Sequence, residues 1–95
     1  MNDLEVYNSL YDYLFSDLFG IICPAKYLVS IKGPRQITFE FFTATERVVV
    51  SAVATNDEIL TDLWIFEAQY MLMFESGEGI EVLHVLKDFY NKQLN

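Results

Sequence analysis

Two apolar runs in the middle of the chain, the first of them alternating, constrain its fold more than any other feature. Residues 35–43 place Ile37, Phe39 and Phe41 at every second position, with polar residues between most of them. A β-branched run, Arg47–Ala54, follows after a short link. A period of two is that of a strand with one buried face, and β-branched residues favour strands. The two runs therefore predict an antiparallel hairpin in the centre of a sheet.

A third strand is predicted just before this hairpin. Lys26–Lys32 carries Tyr27, Val29 and Ile31 on one face, and Gly33–Pro34 is a turn signal. With the hairpin it forms an antiparallel meander of three strands.

Helices are predicted at both ends of the chain. Leu4–Phe19 has an apolar stripe with a period near 3.6 residues, Gly20 is a natural stop, and Pro24 prevents resumption. Ile80–Gln93 has a similar stripe and follows a Ser-Gly-Glu-Gly break. Both helices are expected to pack on the sheet.

The segment between the meander and the last helix is ambiguous. Thr55–Glu58 has the form of a capping box, which predicts a short helix over Asp57–Leu63. Trp64–Glu75 then alternates like a fourth strand. One continuous helix over Asp57–Phe74 is the alternative, and it would place Glu67 among apolar neighbours. We favour the first interpretation.

The predicted fold is therefore α+β, with one compact domain over residues 1–95. A four-stranded antiparallel β-meander carries an N-terminal and a C-terminal helix packed on it, in the order α-β-β-β-(short α)-β-α.

Composition excludes several classes of protein. Of the 95 residues, 53% are hydrophobic and 16% aromatic, which is far from the signature of disorder. The longest uncharged stretches, Leu18–Ala25 and Val48–Asn56, are well short of the ~18 residues that a membrane span needs. The start of the chain is acidic where a signal peptide is basic, and the single cysteine cannot form an internal disulfide. A cytoplasmic protein with no membrane association is expected.

Charge limits the partners. Six basic and fourteen acidic residues leave a net charge of −8, which repels a phosphate backbone, so no direct binding of nucleic acid is expected. An acidic surface suits a basic protein partner, or it keeps an apolar small domain soluble. Both interpretations stay open.

The sequence carries no catalytic signature, and we predict no enzyme, no catalytic residue, no cofactor and no metal. Glu81, His84 and Asp88 share one helical face, but a lone set of this kind is typical of a solvated surface. Cys23 has apolar neighbours, Ile21 and Ile22, which indicate a buried small hydrophobe.

In one long segment of the chain, every charged residue is acidic. No basic residue lies between Arg47 and Lys87, whereas the basic residues elsewhere cluster around the first three strands. If the acidic side chains project together, they form an anionic face that could occupy a basic groove built for nucleic-acid phosphates. The residues predicted for this partner-binding face are Asp57, Glu58, Asp62, Glu67, Glu75, Glu78 and Glu81.

A second feature is surplus apolar surface. Several large side chains fall outside the predicted core stripes, and two methionines, Met71 and Met73, are expected on the strand face opposite Phe74. Exposed aromatic residues and methionine are typical of interfaces, most often homodimeric ones. The candidates for self-association are Tyr11, Phe15, Phe19 and Phe42.

At the level of topology alone, helix–meander–helix resembles small acidic chaperones of secretion substrates, and equally small phage proteins that block host machinery. The leading hypothesis is a small acidic, non-enzymatic protein-binding module that inhibits a nucleic-acid-handling complex, as phage anti-defence proteins do. The alternative is a homodimeric chaperone-like or structural assembly protein that uses its exposed aromatic surface.

Overall fold

The computed structural model describes residues 3–33, 35–55 and 58–94. Two helices flank five strands in the chain. The elements are α1 (Asp3–Ile22), β1 (Lys26–Gly33), β2 (Gln36–Phe42), β3 (Glu46–Ala54), β4 (Ile59–Glu67), β5 (Tyr70–Glu78) and α2 (Gly79–Leu94).

The strands form one antiparallel sheet in chain order, β1-β2-β3-β4-β5. The predicted α+β class, with two helices and an antiparallel meander, is confirmed. The predicted number of four strands is wrong, because the sheet has a fifth strand. The error is confined to the segment between β3 and α2.

The predicted short helix over residues 57–63 is replaced by β4. The backbone N–H of Glu58 donates to Thr55 Oγ1 at 3.1 Å, which is the bond that a capping box uses. Here, however, the Thr55 N–H donates to the Glu58 carbonyl at 2.9 Å and closes a hairpin between β3 and β4. Thr43 and Glu46 form the same pair of bonds, at 2.9 Å each, in the turn between β2 and β3. A Thr-x-x-Glu turn thus stands at both ends of β3.

The predicted strand Trp64–Glu75 is in fact the hairpin of β4 and β5. Its two-residue turn is Ala68–Gln69, in which φ is +55° at Ala68 and not positive at Gln69. Glycine is the residue favoured at such a first position, and neither glycine nor proline is present. The turn is therefore hard to recognise from residue types.

Both helices lie on the same side of the sheet. Leu18 and Ile22 of α1 and Val82, Leu83 and Leu86 of α2 belong to one buried cluster with the inward side chains of β2, β3 and β4. The sheet residues of this cluster are Ile37, Phe39, Phe41, Val48, Val50, Ala52, Leu63 and Ile65. Each is at most 1% exposed, so the core is the layer between the helices and the sheet.

The end of α1 differs from the prediction. The helix passes through Gly20 and ends at Ile22. Cys23 follows with φ of +49°, and its N–H donates to the Phe19 carbonyl at 3.0 Å. A left-handed residue after the last turn is the usual way to close a helix, although glycine is usual there. Cys23 points outward from this position and is exposed, so its predicted burial is wrong.

The other side of the sheet, here called the open face, is covered by neither helix. The buried cluster that contains both helices lies wholly on the opposite side of the strands. Strand alternation and register define the open face. Its described residues are Lys26, Leu28, Ser30, Gln36, Thr38, Glu40, Phe42, Arg47, Val49, Ser51, Val53, Leu60, Asp62, Trp64, Phe66, Met71, Phe74, Ser76 and Glu78.

Candidate protein-binding face

The middle of the open face is largely apolar. One row of directly opposed residues crosses all five strands, and Glu40 is its only charged member. The row is Leu28, Glu40, Val49, Trp64 and Phe74. Leu28 is 49% exposed and Phe74 is 48% exposed. These side chains lie in water only because nothing among the described elements covers them.

The neighbouring row combines aromatic rings with cations. Lys26 Nζ lies 5.2 Å from the ring centroid of Phe42, and the Arg47 guanidinium lies 4.6 Å from that of Phe66. Such cation–π contacts are favourable by about 0.5–1 kcal/mol at exposed sites. Met71 completes this row opposite Phe66 and is 57% exposed. The rings are thus partly shielded by charge, while the methionine is not.

Arg47 also forms an ion pair with a residue of the neighbouring strand β2. Its Nη1 lies 3.0 Å from Glu40 Oε1, on the next strand. The side chains of the pair are 48% and 27% exposed, so its net contribution to stability is small, on the order of 0.2–1 kcal/mol. The pair nevertheless neutralises a charge in the middle of an apolar surface.

A polar row separates this apolar area from the far end of the face. It contains four hydroxyl side chains and one carboxylate. Ser76 Oγ donates to Asp62 Oδ1 at 2.7 Å, and Thr38 Oγ1 donates to Ser51 Oγ at 3.3 Å. The row is Ser30, Thr38, Ser51, Asp62 and Ser76. Its hydroxyl groups can still accept or donate further bonds to a docked molecule.

The predicted acidic face is divided between different parts of the fold. Asp62 and Glu78 lie on the open face as diagonal neighbours on β4 and β5. Glu75 lies opposite the buried Leu63 and therefore on the helix side of the sheet. Of the six predicted carboxylates that the structure describes, the open face brings together these two.

The remaining acidic candidates lie at the ends of elements. Glu58 is exposed at the turn between β3 and β4, and Glu67 is exposed at the opposite end of β4. Glu81 is exposed in the first turn of α2, where a carboxylate is favourable for the helix dipole. Asp57 lies outside the described residues.

The self-association candidates are also dispersed. Tyr11 packs on Phe39 with ring centroids 5.6 Å apart, so it belongs to the helix–sheet layer. Phe19 is 40% exposed and contacts Tyr27 edge-on at 6.1 Å, on the helix side of β1. Phe42 lies on the open face, on the side of β2 opposite Ile37, Phe39 and Phe41. The side chain of Phe15 lies outside the described residues.

One methionine prediction needs correction. A register shift between Ile65 and Phe66 marks a bulge in the β4–β5 pairing. Because of it, Met71 lies opposite Phe66 on the open face, on the same side as Phe74, whereas Met73 lies opposite Ile65 and packs on the core. A β-bulge inserts one residue and so exchanges the faces on either side of it.

Polar atoms are also buried on the helix side. Glu46 is 8% exposed, and its Oε1 accepts from Thr45 Oγ1 at 3.4 Å. The hydroxyl of Tyr90, on α2, is buried with no hydrogen-bond partner among the described residues. Burial raises the pKa of Tyr90 well above its usual value, and the nearby Glu46 carboxylate raises it further. Both effects favour the neutral form of the Tyr90 phenol.

Metal ligation finds no support in the geometry. Glu81, His84 and Asp88 are exposed on α2. Within residues 3–33, 35–55 and 58–94, no three His, Cys, Asp or Glu side chains converge as metal ligands. In the same ranges, neither helix is long and apolar enough to cross a membrane.

We compared the chain with protein-family models, with characterised proteins and with solved structures, and found no match.

Sequence reasoning missed most of the apolar residues of this face. The sequence pattern predicts Val49 only as part of a strand and Trp64 only as part of the ambiguous segment between the meander and the last helix. The available signal was that β3 is apolar at both sets of alternating positions, with Val49 and Val53 between Val48, Val50 and Ala52. A strand of this kind belongs to a sheet whose two faces are both meant to be covered.

Proposed function

We propose that this protein is a non-enzymatic protein-binding module that docks its partner on the open face of the sheet. The observation that carries the proposal is an apolar sheet face left uncovered by the fold. Extended apolar patches on a small domain are typical of protein–protein contact sites. The open face consists of residues from all five strands, so docking needs no unfolding of the chain.

The composition of the open face supports this proposal. Trp64, Phe66, Phe74 and Met71 occupy its centre and one edge. Interfaces are enriched in aromatic residues, methionine and arginine, and charged residues lie mostly on their rims. Arg47 fits this pattern too, because its guanidinium already lies on the Phe66 ring.

Inhibition of a nucleic-acid-handling complex by an anionic face stays a prediction with less support. A net charge of −8 favours attraction to a basic groove. The positions of the carboxylates oppose this mechanism, because they lie on different surfaces, with Glu75 on the helix side of the sheet and Glu81 on α2. A phosphate mimic needs its charges on one surface, whereas the open face mixes both signs.

The proposal can be tested by capture with matched baits. The tagged protein and its Phe74→Glu and Ile80→Glu variants are used to capture proteins from host lysate and untagged copies of the chain. Ile80 is 58% exposed in the first turn of α2, the helix that packs on the other side of the sheet, so it controls for added charge. We expect the wild-type and Ile80→Glu baits to retain the same bound protein. The Phe74→Glu bait should lose it.

Two results would refute the open face as the docking surface. One is retention of the same catch by Phe74→Glu. The other is equal loss with Phe74→Glu and Ile80→Glu, which would mean that only total charge matters. A melting curve for each variant establishes that the bait is folded.

A further inference from the structure

We infer that the occupant of the open face is a second copy of this chain, packed sheet on sheet about a two-fold axis. This inference rests on the proposed function, because it names the partner for the same surface. Sheets that pack face to face keep their strands within about 30° of one another and interdigitate their side chains. The product would be a four-layer dimer with helices outside and two sheets inside.

The size of the face fits a stable dimer. Stable interfaces bury about 800 Å² per partner. Five strands spaced about 4.8 Å apart, with about eight residues at about 3.3 Å each, cover a plane of roughly 600 Å² before side-chain relief is added. The face is therefore close to the size that a homodimer needs, without any contribution from the helices.

The charge of the face also fits a second copy. Its described residues include two cations and three carboxylates, a net charge of −1 against −8 for the whole chain. A face shaped for a basic groove would carry much of the negative charge. Two copies of an acidic protein can meet only where their own repulsion is smallest, and this is such a surface. The charged residues of the face are Lys26, Glu40, Arg47, Asp62 and Glu78.

The charges are separated along the strands, which selects an orientation. Lys26 and Arg47 share the row that ends at Met71. Asp62 and Glu78 lie in the two rows at the opposite end of the face. A two-fold axis that lies in the interface at right angles to the strands superposes opposite ends of the two copies. It turns the end of each face that carries Lys26 and Arg47 towards the end of the other that carries Asp62 and Glu78, while each strand lies over its own counterpart, so opposite charges share an end of the interface without being directly opposed.

Association through the sheet edges is less favourable. The pairing of β5 with β4 is interrupted by the bulge near Leu72, and the register of β1 with β2 shifts between Ile31 and Gly33. Bulges twist an edge and interrupt the row of hydrogen-bonding groups that a new strand would need. Both edges are irregular, whereas the open face is continuous.

The inference is tested with the purified full chain by sedimentation velocity over a range of concentrations. We expect a concentration-dependent species of twice the 11.0 kDa chain mass. Phe74→Glu should raise the dissociation constant about 30-fold or more, as expected for a hot-spot residue. Leu28→Glu is the second variant, because Leu28 is 49% exposed on β1, at the other side of the face. Ile80→Glu should leave the dimer intact.

The fluorescence of Trp64 supplies an independent measurement, because Trp64 is the only tryptophan of the chain and lies on the open face. Its emission should shift to the blue as the wild-type concentration rises, and should stay constant in Phe74→Glu. A wild type that is monomeric at every concentration, with constant emission, would overturn the dimer and leave the binding module to be judged by capture. A dimer that survives Phe74→Glu and Leu28→Glu, or that Ile80→Glu also disrupts, would overturn it as well.

Discussion

Trp64 and Phe74 lie directly opposite each other on β4 and β5, with ring centroids 5.5 Å apart and planes inclined by 42°. Phe74 nevertheless remains 48% exposed, because the pair stands on the open face. Two large aromatic side chains thus stabilise each other and still present apolar surface to water. This combination of local support and exposure is what a preformed docking surface needs.

The Trp64–Phe74 contact should be measurable in the isolated chain. In a double-mutant cycle with Trp64→Leu and Phe74→Leu, we expect a coupling of about 0.5–1 kcal/mol in the free energy of unfolding, since cross-strand aromatic pairs contribute about this much. Urea denaturation of the four proteins at a concentration where the wild type is monomeric gives the value. Additive effects would mean that the two rings do not support each other.

The β4–β5 turn should tolerate glycine better than its native residue. Ala68 has φ of +55°, a conformation that disfavours a side chain, so Ala68→Gly should raise the free energy of unfolding by about 1 kcal/mol. Gln69→Gly is the control, because φ is not positive there and the added freedom of the unfolded chain should destabilise the protein. Equal effects of the two substitutions in urea denaturation would contradict this description of the turn.

Tyr90 should make stability fall at high pH. Its pKa is raised in the folded protein by burial and by Glu46, relative to 10.0 in the unfolded chain. A raised pKa means that the folded state holds the proton more tightly, so its contribution is complete below pH 10 and is lost as the pH rises above 10. The loss should reach at most about 1.4 kcal/mol per pH unit.

Tyr90→Phe isolates this effect, because it keeps the ring and removes the buried hydroxyl. The variant should lose less stability than the wild type between about pH 10 and pH 11.5, since other tyrosines and lysines contribute equally to both proteins. Parallel curves of unfolding free energy against pH for the two proteins would show that the phenol of Tyr90 titrates normally.

Salt should distinguish the two kinds of partner. Two copies with a net charge of −8 repel each other beyond the contact, and added salt screens this repulsion. The dissociation constant of the dimer should therefore fall when salt rises from about 0.05 M to about 0.5 M. A basic partner bound through Asp62 and Glu78 would respond in the opposite direction. Weaker self-association at high salt would contradict the proposed near-neutral contact face.

The parts of the fold with a strong period were predictable from the sequence. α1, β2, β3 and α2 lie within a few residues of their expected bounds, because each has one face that must be buried. The β4–β5 hairpin was not predictable in this way. Its turn residues, Ala68 and Gln69, carry no turn signal, and alternation on both sides of the turn continues as if the strand were uninterrupted.

Local hydrogen bonding explains why a short helix was expected over residues 57–63, where the structure has β4. Thr55 and Glu58 form the same side-chain bond in a hairpin turn that they would form at the start of a helix. Residue types alone do not separate these two uses, whereas pairing with β5 decides between them. Surplus apolar surface was predictable, but its place on the sheet was not, because Val49 and Val53 look like core residues until both helices are seen to pack on the other side.

Oxidative footprinting tests the central claim, docking on the open face, most directly. Hydroxyl radicals label exposed tryptophan, methionine, phenylalanine and tyrosine side chains. The labelling of Trp64, Met71 and Phe74 should fall when the complex forms, either at high concentration of the chain or with a captured partner. Tyr70, which is 77% exposed at the β4–β5 turn, and Tyr27, on the helix side of β1, should be labelled as before. Unchanged labelling of Trp64, Met71 and Phe74 in a complex that has formed would contradict the account.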